Sequence, residues 1–112
     1  KLGILEVGCG WIGAMLDRLD AYTDAMNAVG KRRSASDYFR EQCFISGDPD
    51  ETTAPHTIAH VGADNFMWAT DYPHPDHPHT WGDALTNFVE PLSAEDRQKF
   101  LGENVKRIYK LT

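Results

Sequence analysis

The densest chemistry in the chain lies in one loop, Asp71-Tyr72-Pro73-His74-Pro75-Asp76-His77-Pro78-His79. Asp71 follows Met67 and Ala69 at a spacing of two, so on a strand all three share a face. A carboxylate at the C-terminal end of a buried parallel strand stands where such sheets place their active sites. It could ligate a hard or borderline metal or serve as a base. An Asp ahead of a proline can equally cap a turn. His74 is near enough to Asp71 to look into the same pocket, and Trp81 is placed to line it. His77 and His79 bring imidazoles at the density of a zinc site. Three prolines stiffen the loop, however, and a surface segment is the simpler reading for those two. A small metal-binding module built on this loop alone stays open as an alternative.

A second candidate is Gly8-Cys9-Gly10-Trp11-Ile12-Gly13, which fits GxGxxG after a strand and ahead of a helix. Such glycines let a backbone approach a phosphate or nucleoside at a helix N-terminus. The stretch Leu5–Trp11 also resembles the first motif of methyltransferases that use S-adenosylmethionine. That reading needs a second strand tipped by Asp or Glu about 20 residues on. The sequence there is helical and then runs Lys31-Arg32-Arg33-Ser34. A tight strand-to-helix turn is favoured, with the methyltransferase-like domain as an alternative. His56 and His60 share a helix face but lack the Glu of HExxH. Cys9 and Cys43 stand far apart without CxxC spacing and read as free thiols in a reducing, cytoplasmic compartment.

The elements that position these residues follow from periodicity. Leu2–Val7 reads as a strand, then Trp11, Ile12, Met15, Leu16, Leu19, Tyr22, Met26 and Val29 recur at helical spacing up to Gly30. Trp11 and Trp68 are expected in the core. Ser36 is expected to cap a short helix over 37–40. Gln42–Ser46 is a second strand, and Gly47–Glu51 is turn chemistry. Pro55 suits the first turn of a helix closed by Gly62. Asn65–Thr70 is a third strand, apolar on both faces as buried parallel strands are. Ala84, Leu85, Phe88 and Val89 form a helical face ended by Pro91. Ser93 with Asp96 approximates a capping box, Gly102 is expected to break that helix, and Val105, Ile108 and Tyr109 carry the last one. Alternation of strands and helices predicts an α/β fold with right-handed crossovers and a parallel sheet.

Composition bounds the function. The 112 residues are 41% hydrophobic and 25% charged, the balance of a globular chain. Eleven Lys and Arg against 17 Asp and Glu give a net charge of −6, the wrong sign for a general nucleic-acid binder. No apolar run approaches the ~20 residues of a membrane span. The chain opens on Lys1 and is strand-like by Leu2, and three strands leave sheet edges open. Both features lead us to expect a piece of a larger protein, prone to self-association as a homo-oligomer or completed by a missing N-terminal part.

Three segments together resemble one family. Glu6–Ile12 is similar to an E-x-G-x-G-W-[IVL] segment. Asp64–His74 is similar to G-x-D-x-[IVF]-M-[WF]-x-[ST]-D-[YF]-P-H, and Gly102–Tyr109 to G-E-N-x-x-R-[LI]-[YF]. In this order they resemble the C-terminal part of the amidohydrolase family that includes aminocarboxymuconate-semialdehyde decarboxylase. The resemblance implies that residues 1–112 are the last three βα units of a TIM barrel, itself about 250 residues. It implies that Asp71 ends the eighth strand as a metal ligand or proton-handling carboxylate, and that the complete enzyme holds a divalent metal, zinc above all. It implies hydrolysis or non-oxidative decarboxylation of a small carboxylate or aromatic acid by the complete enzyme. We expect His74, Glu6 and Trp81 around the substrate, and the segment inactive alone. Decarboxylase members carry a His where this chain has Glu6, and some relatives carry Glu, so both reaction classes stand.

Overall fold

The computed structural model describes residues 1–26, 30, 33–75 and 79–112. Strands β1 (Leu2–Ile4), β2 (Cys43–Gly47) and β3 (Phe66–Trp68) form a parallel sheet in that order. Leu2 pairs with Cys43, Ile4 and Phe66 both flank Ile45, and Gly47 pairs with Trp68. Parallel neighbours need crossovers, and helices supply them. Helices α1 (Ile12–Met26) and α2 (Ala35–Gln42) join β1 to β2. Helix α3 (Ala54–Val61) and a 3₁₀ turn (Ala63–Asn65) join β2 to β3. Helices α4 (Trp81–Val89), α5 (Ala94–Gln98) and α6 (Asn104–Tyr109) follow, with a π-turn (Lys99–Glu103) between the last two.

Alternation along β2 sends Ile45 to the helices and Phe44 to the other face. Ile45, Ile58, Phe66 and Phe100 are fully buried in one cluster. Phe39 meets Phe66 edge-on with centroids 6.1 Å apart, and Phe88 stacks on Phe100 at 4.8 Å. On the other face, Phe44 packs edge-on against Tyr109 at 5.9 Å.

Two buried asparagines lock elements that are distant in sequence. Asn65 Nδ2 donates to the carbonyls of Phe39, Arg40 and Cys43, tying the start of β3 to the end of α2. Asn104 Nδ2 donates at 2.7 Å to both the Ala63 and Phe66 carbonyls. Its Oδ1 accepts from Arg107 Nη2, which also donates to the Asp64 carbonyl. The Asn and Arg of the G-E-N-x-x-R segment thus anchor α6 to β3.

Several local expectations are corrected. The first strand stops at Ile4, because Glu6 adopts φ +60° and turns the chain. The α2 cap is Ser34, whose side chain accepts from the Asp37 N–H at 3.0 Å. Ser36 instead donates its N–H and hydroxyl to Asp20 on α1. Asn65 belongs to the 3₁₀ turn rather than to β3, which ends at Trp68. Gly102 breaks nothing, since the π-turn carries the chain through it and Asn104 N–H bonds the Lys99 carbonyl. Trp11 is exposed, its indole N–H held by the Val7 and Gly8 carbonyls at the mouth of α1, and Trp68 is only half-buried. Of the α1 stripe only Ile12 and Leu16 are buried, while Met15, Leu19, Tyr22 and Met26 face outward. Val29 lies outside the described residues.

Candidate active site

The loops that leave the carboxyl ends of all three strands converge on one cleft of about 430 Å³. Leu5 and Glu6 come from the loop after β1, Asp48 and Asp50 from the loop after β2, and Ala69, Asp71 and His74 from the loop after β3. Ser46, Met67 and Trp68 form the floor, and Val105 and Tyr109 of α6 close one side. Met67, Ala69 and Asp71 all line the cleft, but β3 ends at Trp68, which lines it too, so the loop rather than a shared strand face brings Ala69 and Asp71 there.

Asp71 has φ +48°, a left-handed turn that the short polar side chain of Asp tolerates better than most. Its carbonyl accepts the His74 N–H at 2.8 Å, closing the turn. His74 Nδ1 lies 3.5 Å from Asp71 Oδ2, so the imidazole stands beside the carboxylate in the cleft. Glu6, Asp71 and His74, singled out from sequence, are therefore brought together. Trp81 stands behind the wall rather than in it, stacked on Trp68 at 5.8 Å. His79 is exposed, while Asp76, His77 and Pro78 lie outside the described residues. His60 leaves this region altogether and sits 3.4 Å from Asp17, between α3 and α1.

Sequence reasoning missed Asp48 and Asp50, reading Gly47–Glu51 as turn chemistry. The available signal was the same as for Asp71, acids placed just beyond a buried strand. The described wall holds four carboxylates and one imidazole, with no Lys or Arg. Such a cleft attracts cations and repels a free carboxylate. Oxygen donors of this kind suit a divalent ion, so the residues fit a metal, as part of a ligand set. Among the described residues no group of three or more His, Cys, Asp and Glu is placed to hold one by itself.

The glycine turn has a different occupant from a nucleotide. Glu51 accepts from the Cys9 N–H at 2.9–3.0 Å, the Gly10 N–H at 2.9 Å and the Asp48 N–H at 3.0 Å. A Cβ at Gly8, where φ is +64°, would stand 2.5 Å from Glu51 Oε1. The donors at the mouth of α1 thus serve an internal carboxylate, which removes the structural basis of the methyltransferase alternative. Burial, and then the charge of Glu51, push the pKa of the Cys9 thiol up, which leaves it inert as a nucleophile. Both cysteines are free. No described helix is long and apolar enough to cross a membrane.

Comparison with known proteins agrees with this geometry. The sequence profile of the amidohydrolase family matches residues 6–111. Gamma-resorcylate decarboxylase of Rhizobium radiobacter is 29% identical over 114 residues, covering 98% of this chain and 33% of that protein. The 5-carboxyvanillate decarboxylase of Sphingomonas paucimobilis superposes with a TM-score of 0.66 at 27% identity, over 91% of this chain and 31% of that one. The dihydroxybenzoic acid decarboxylase of Polaromonas sp. JS666, solved with bound manganese and the inhibitor 2-nitroresorcinol, has a TM-score of 0.66 at 24% identity, over 90% of this chain and 31% of that one. The chain spans about a third of the length of the curated relatives it matches. Its parallel α/β layers correspond to about a third of a TIM-barrel amidohydrolase, and the sequence is a partial homologue of aromatic acid decarboxylases. The chain belongs to the amidohydrolase family.

Proposed function

We propose that residues 1–112 form the C-terminal third of the catalytic face of a metal-dependent barrel that decarboxylates a small aromatic acid. The observation that carries this reading is the cleft: Asp71 and His74 stand together at the carboxyl end of β3, in a wall of four carboxylates. An acid substrate cannot settle among those charges unless a cation intervenes, so the cleft itself argues for a metal. Asp71 would hold the ion together with ligands from the rest of the barrel. A bound divalent cation supplies Lewis-acid stabilisation of the substrate's oxygens. The resemblance points to zinc and the Polaromonas relative holds manganese, and carboxylate donors favour the latter. Exposed Leu2, Leu5 and Val7 beside β1, with the outward stripe of α1, would be covered by preceding barrel elements. A cytoplasmic location rests on the two free thiols alone.

Decarboxylation breaks the bond between ring and carboxyl carbon, releases CO₂ and needs one proton at the ring carbon. We assign its delivery to Asp71, whose carboxylate would take the proton up from water as the substrate arrives and pass it to the ring carbon, with His74 Nδ1 at 3.5 Å to orient it. Glu6 would accept hydrogen bonds from ring hydroxyls, and the Trp68–Trp81 stack would give the ring an apolar wall. Hydrolysis is the second reading, favoured by Glu6 where decarboxylase members carry His; Asp71 would then take a proton from water.

The test is turnover of γ-resorcylate and 5-carboxyvanillate by the complete barrel after loading with manganese or zinc, followed by CO₂ release. The reading expects metal-dependent release and a loss of at least ~100-fold in Asp71→Asn, the scale of a general acid–base contribution. Release that survives both chelation and Asp71→Asn overturns it.

A further inference from the structure

The cleft described above depends on two loops that share no sequence neighbourhood. Glu6 hangs on the loop after β1, and Asp48 and Asp50 on the loop after β2. The hydrogen bonds that join these loops through a side chain converge on Glu51. Its Oε1 accepts from Gly10 N–H at 2.9 Å, its Oε2 from Asp48 N–H at 3.0 Å, and Cys9 N–H is shared between both oxygens. All three partners are donors, so the site calls for a group that only accepts. A carboxylate meets that need, and an amide would aim its own N–H groups at one of the loops.

The surrounding residues are shaped to this carboxylate. Gly8 lacks the Cβ that would stand 2.5 Å from Oε1, and Gly10 lacks the one that would stand 3.2 Å from it and 2.6 Å from Thr53 Oγ1. Thr57 Oγ1 donates to the Gly10 carbonyl at 2.8 Å, which fixes the first loop from its other side but does not reach the second.

We infer that Glu51 is a positioning residue of the site: its carboxylate clamps the β1 and β2 loops to each other and so sets where Glu6, Asp48 and Asp50 stand in the cleft. Glu51 is absent from the cleft wall and touches no reacting group. Asp71 and His74 hang on a third loop that Glu51 does not hold, so metal capture and loop registration are separable. The inference rests on the functional reading above only for its kinetic consequence.

The experiment compares Glu51→Gln and Glu51→Asp with the wild type in the complete, manganese-loaded barrel. Amide hydrogen exchange is read at Cys9, Gly10 and Asp48, and kcat and KM for γ-resorcylate are measured well below the melting temperature of each variant. Gln keeps the length but loses acceptor capacity; Asp keeps the charge but is one methylene short of spanning both loops. The clamp predicts exchange at least tenfold faster on both loops in Gln, and on at least one loop in Asp. It predicts kcat/KM down at least tenfold, and manganese affinity changed less than twofold. Unchanged exchange on either loop in Gln overturns the clamp, and if Gln does not fold, unchanged exchange on both loops in Asp does so. Faster exchange with unaltered kcat and KM overturns the positioning role and leaves Glu51 a residue of the fold. A wild type that turns over no aromatic acid refutes the functional reading, and the exchange rates then decide the clamp by themselves.

Discussion

Asn104 is the side chain whose loss should be felt most for its size. It is 1% exposed, and its Nδ2 satisfies two backbone carbonyls, Ala63 and Phe66, at 2.7 Å each. Truncation to Ala takes the amide donor from both, although the Ala63 carbonyl keeps the Phe66 N–H. A buried carbonyl left without its donor costs about 1–3 kcal/mol and a lost bond to one still partnered about 1 kcal/mol, so Asn104→Ala should lose about 3 kcal/mol. Asn104→Asp sharpens the test, because it keeps the shape and replaces the donor by an acceptor. One oxygen of the new carboxylate would face two carbonyl oxygens while the other keeps Arg107; burial and the double repulsion outweigh that one cation and raise its pKa above the ordinary value of about 3.9. A group raised in the folded state contributes stability below its unfolded pKa and loses it as pH rises through the folded one. The Asp variant should therefore be least impaired below about pH 4 and worsen toward neutrality, while the Ala variant's deficit stays flat over the same range. Urea unfolding followed by tryptophan fluorescence reads both. A loss under about 1 kcal/mol in Asn104→Ala, or an Asp variant with no pH trend, would refute the view that donation from this amide anchors α6.

Other outcomes follow from the same contacts. Gly8 and Gly30 both have φ +64°, but only Gly8 has Glu51 against its missing Cβ. Gly8→Ala should cost about 2 kcal/mol or more and Gly30→Ala about 1 kcal/mol, compared by urea midpoint; equal losses would remove the clash from the account. Burial works to raise the Asp20 pKa, yet hydrogen bonds from Ser36 and the Ala35 N–H, with the charge of Arg40, outweigh it and hold the carboxyl below its usual range. Its contribution is then present above about pH 4 and fades as pH falls through the lowered value, so Asp20→Asn should be less stable at neutral pH and show a shallower acid limb in a melting series. Native protein at pH 8 should label Cys43 with iodoacetamide before Cys9, which is fully buried and whose thiol pKa is raised; equal labelling by mass spectrometry would contradict that environment.

The order of strands and helices and the parallel sheet were readable because each rests on a short-range period. The apolar runs around Ile45 and Phe66 have no polar face to present, and a strand buried on both sides is the arrangement that needs none. What was not readable depends on partners far along the chain. Glu51 lies 41 and 42 residues from the amides it caps, and nothing in its own neighbourhood distinguishes it from an ordinary turn acid. The glycine motif was visible as a turn, but only the fold shows that a side chain occupies it. Ser34 and Ser36 are equivalent as cap candidates until Asp20 claims the second. Gly102 looked like a helix breaker, yet the anchoring of Asn104 and Arg107 to the start of β3 carries the helix past it. Trp11 and Trp68 were expected in the core; their indole N–H groups instead hold backbone carbonyls at its border, Val7 in the first loop and Leu101 in the π-turn.

The most direct test of the central claim is a manganese titration of the complete barrel followed by electron paramagnetic resonance. Wild type, Asp71→Asn and a His77→Ala/His79→Ala double variant would be compared. The account predicts about one tightly held ion per barrel in the wild type, its loss in Asp71→Asn, and its retention in the double histidine variant. Retention in Asp71→Asn together with loss in the double variant would place the metal on the histidine loop and contradict the assignment of the cleft.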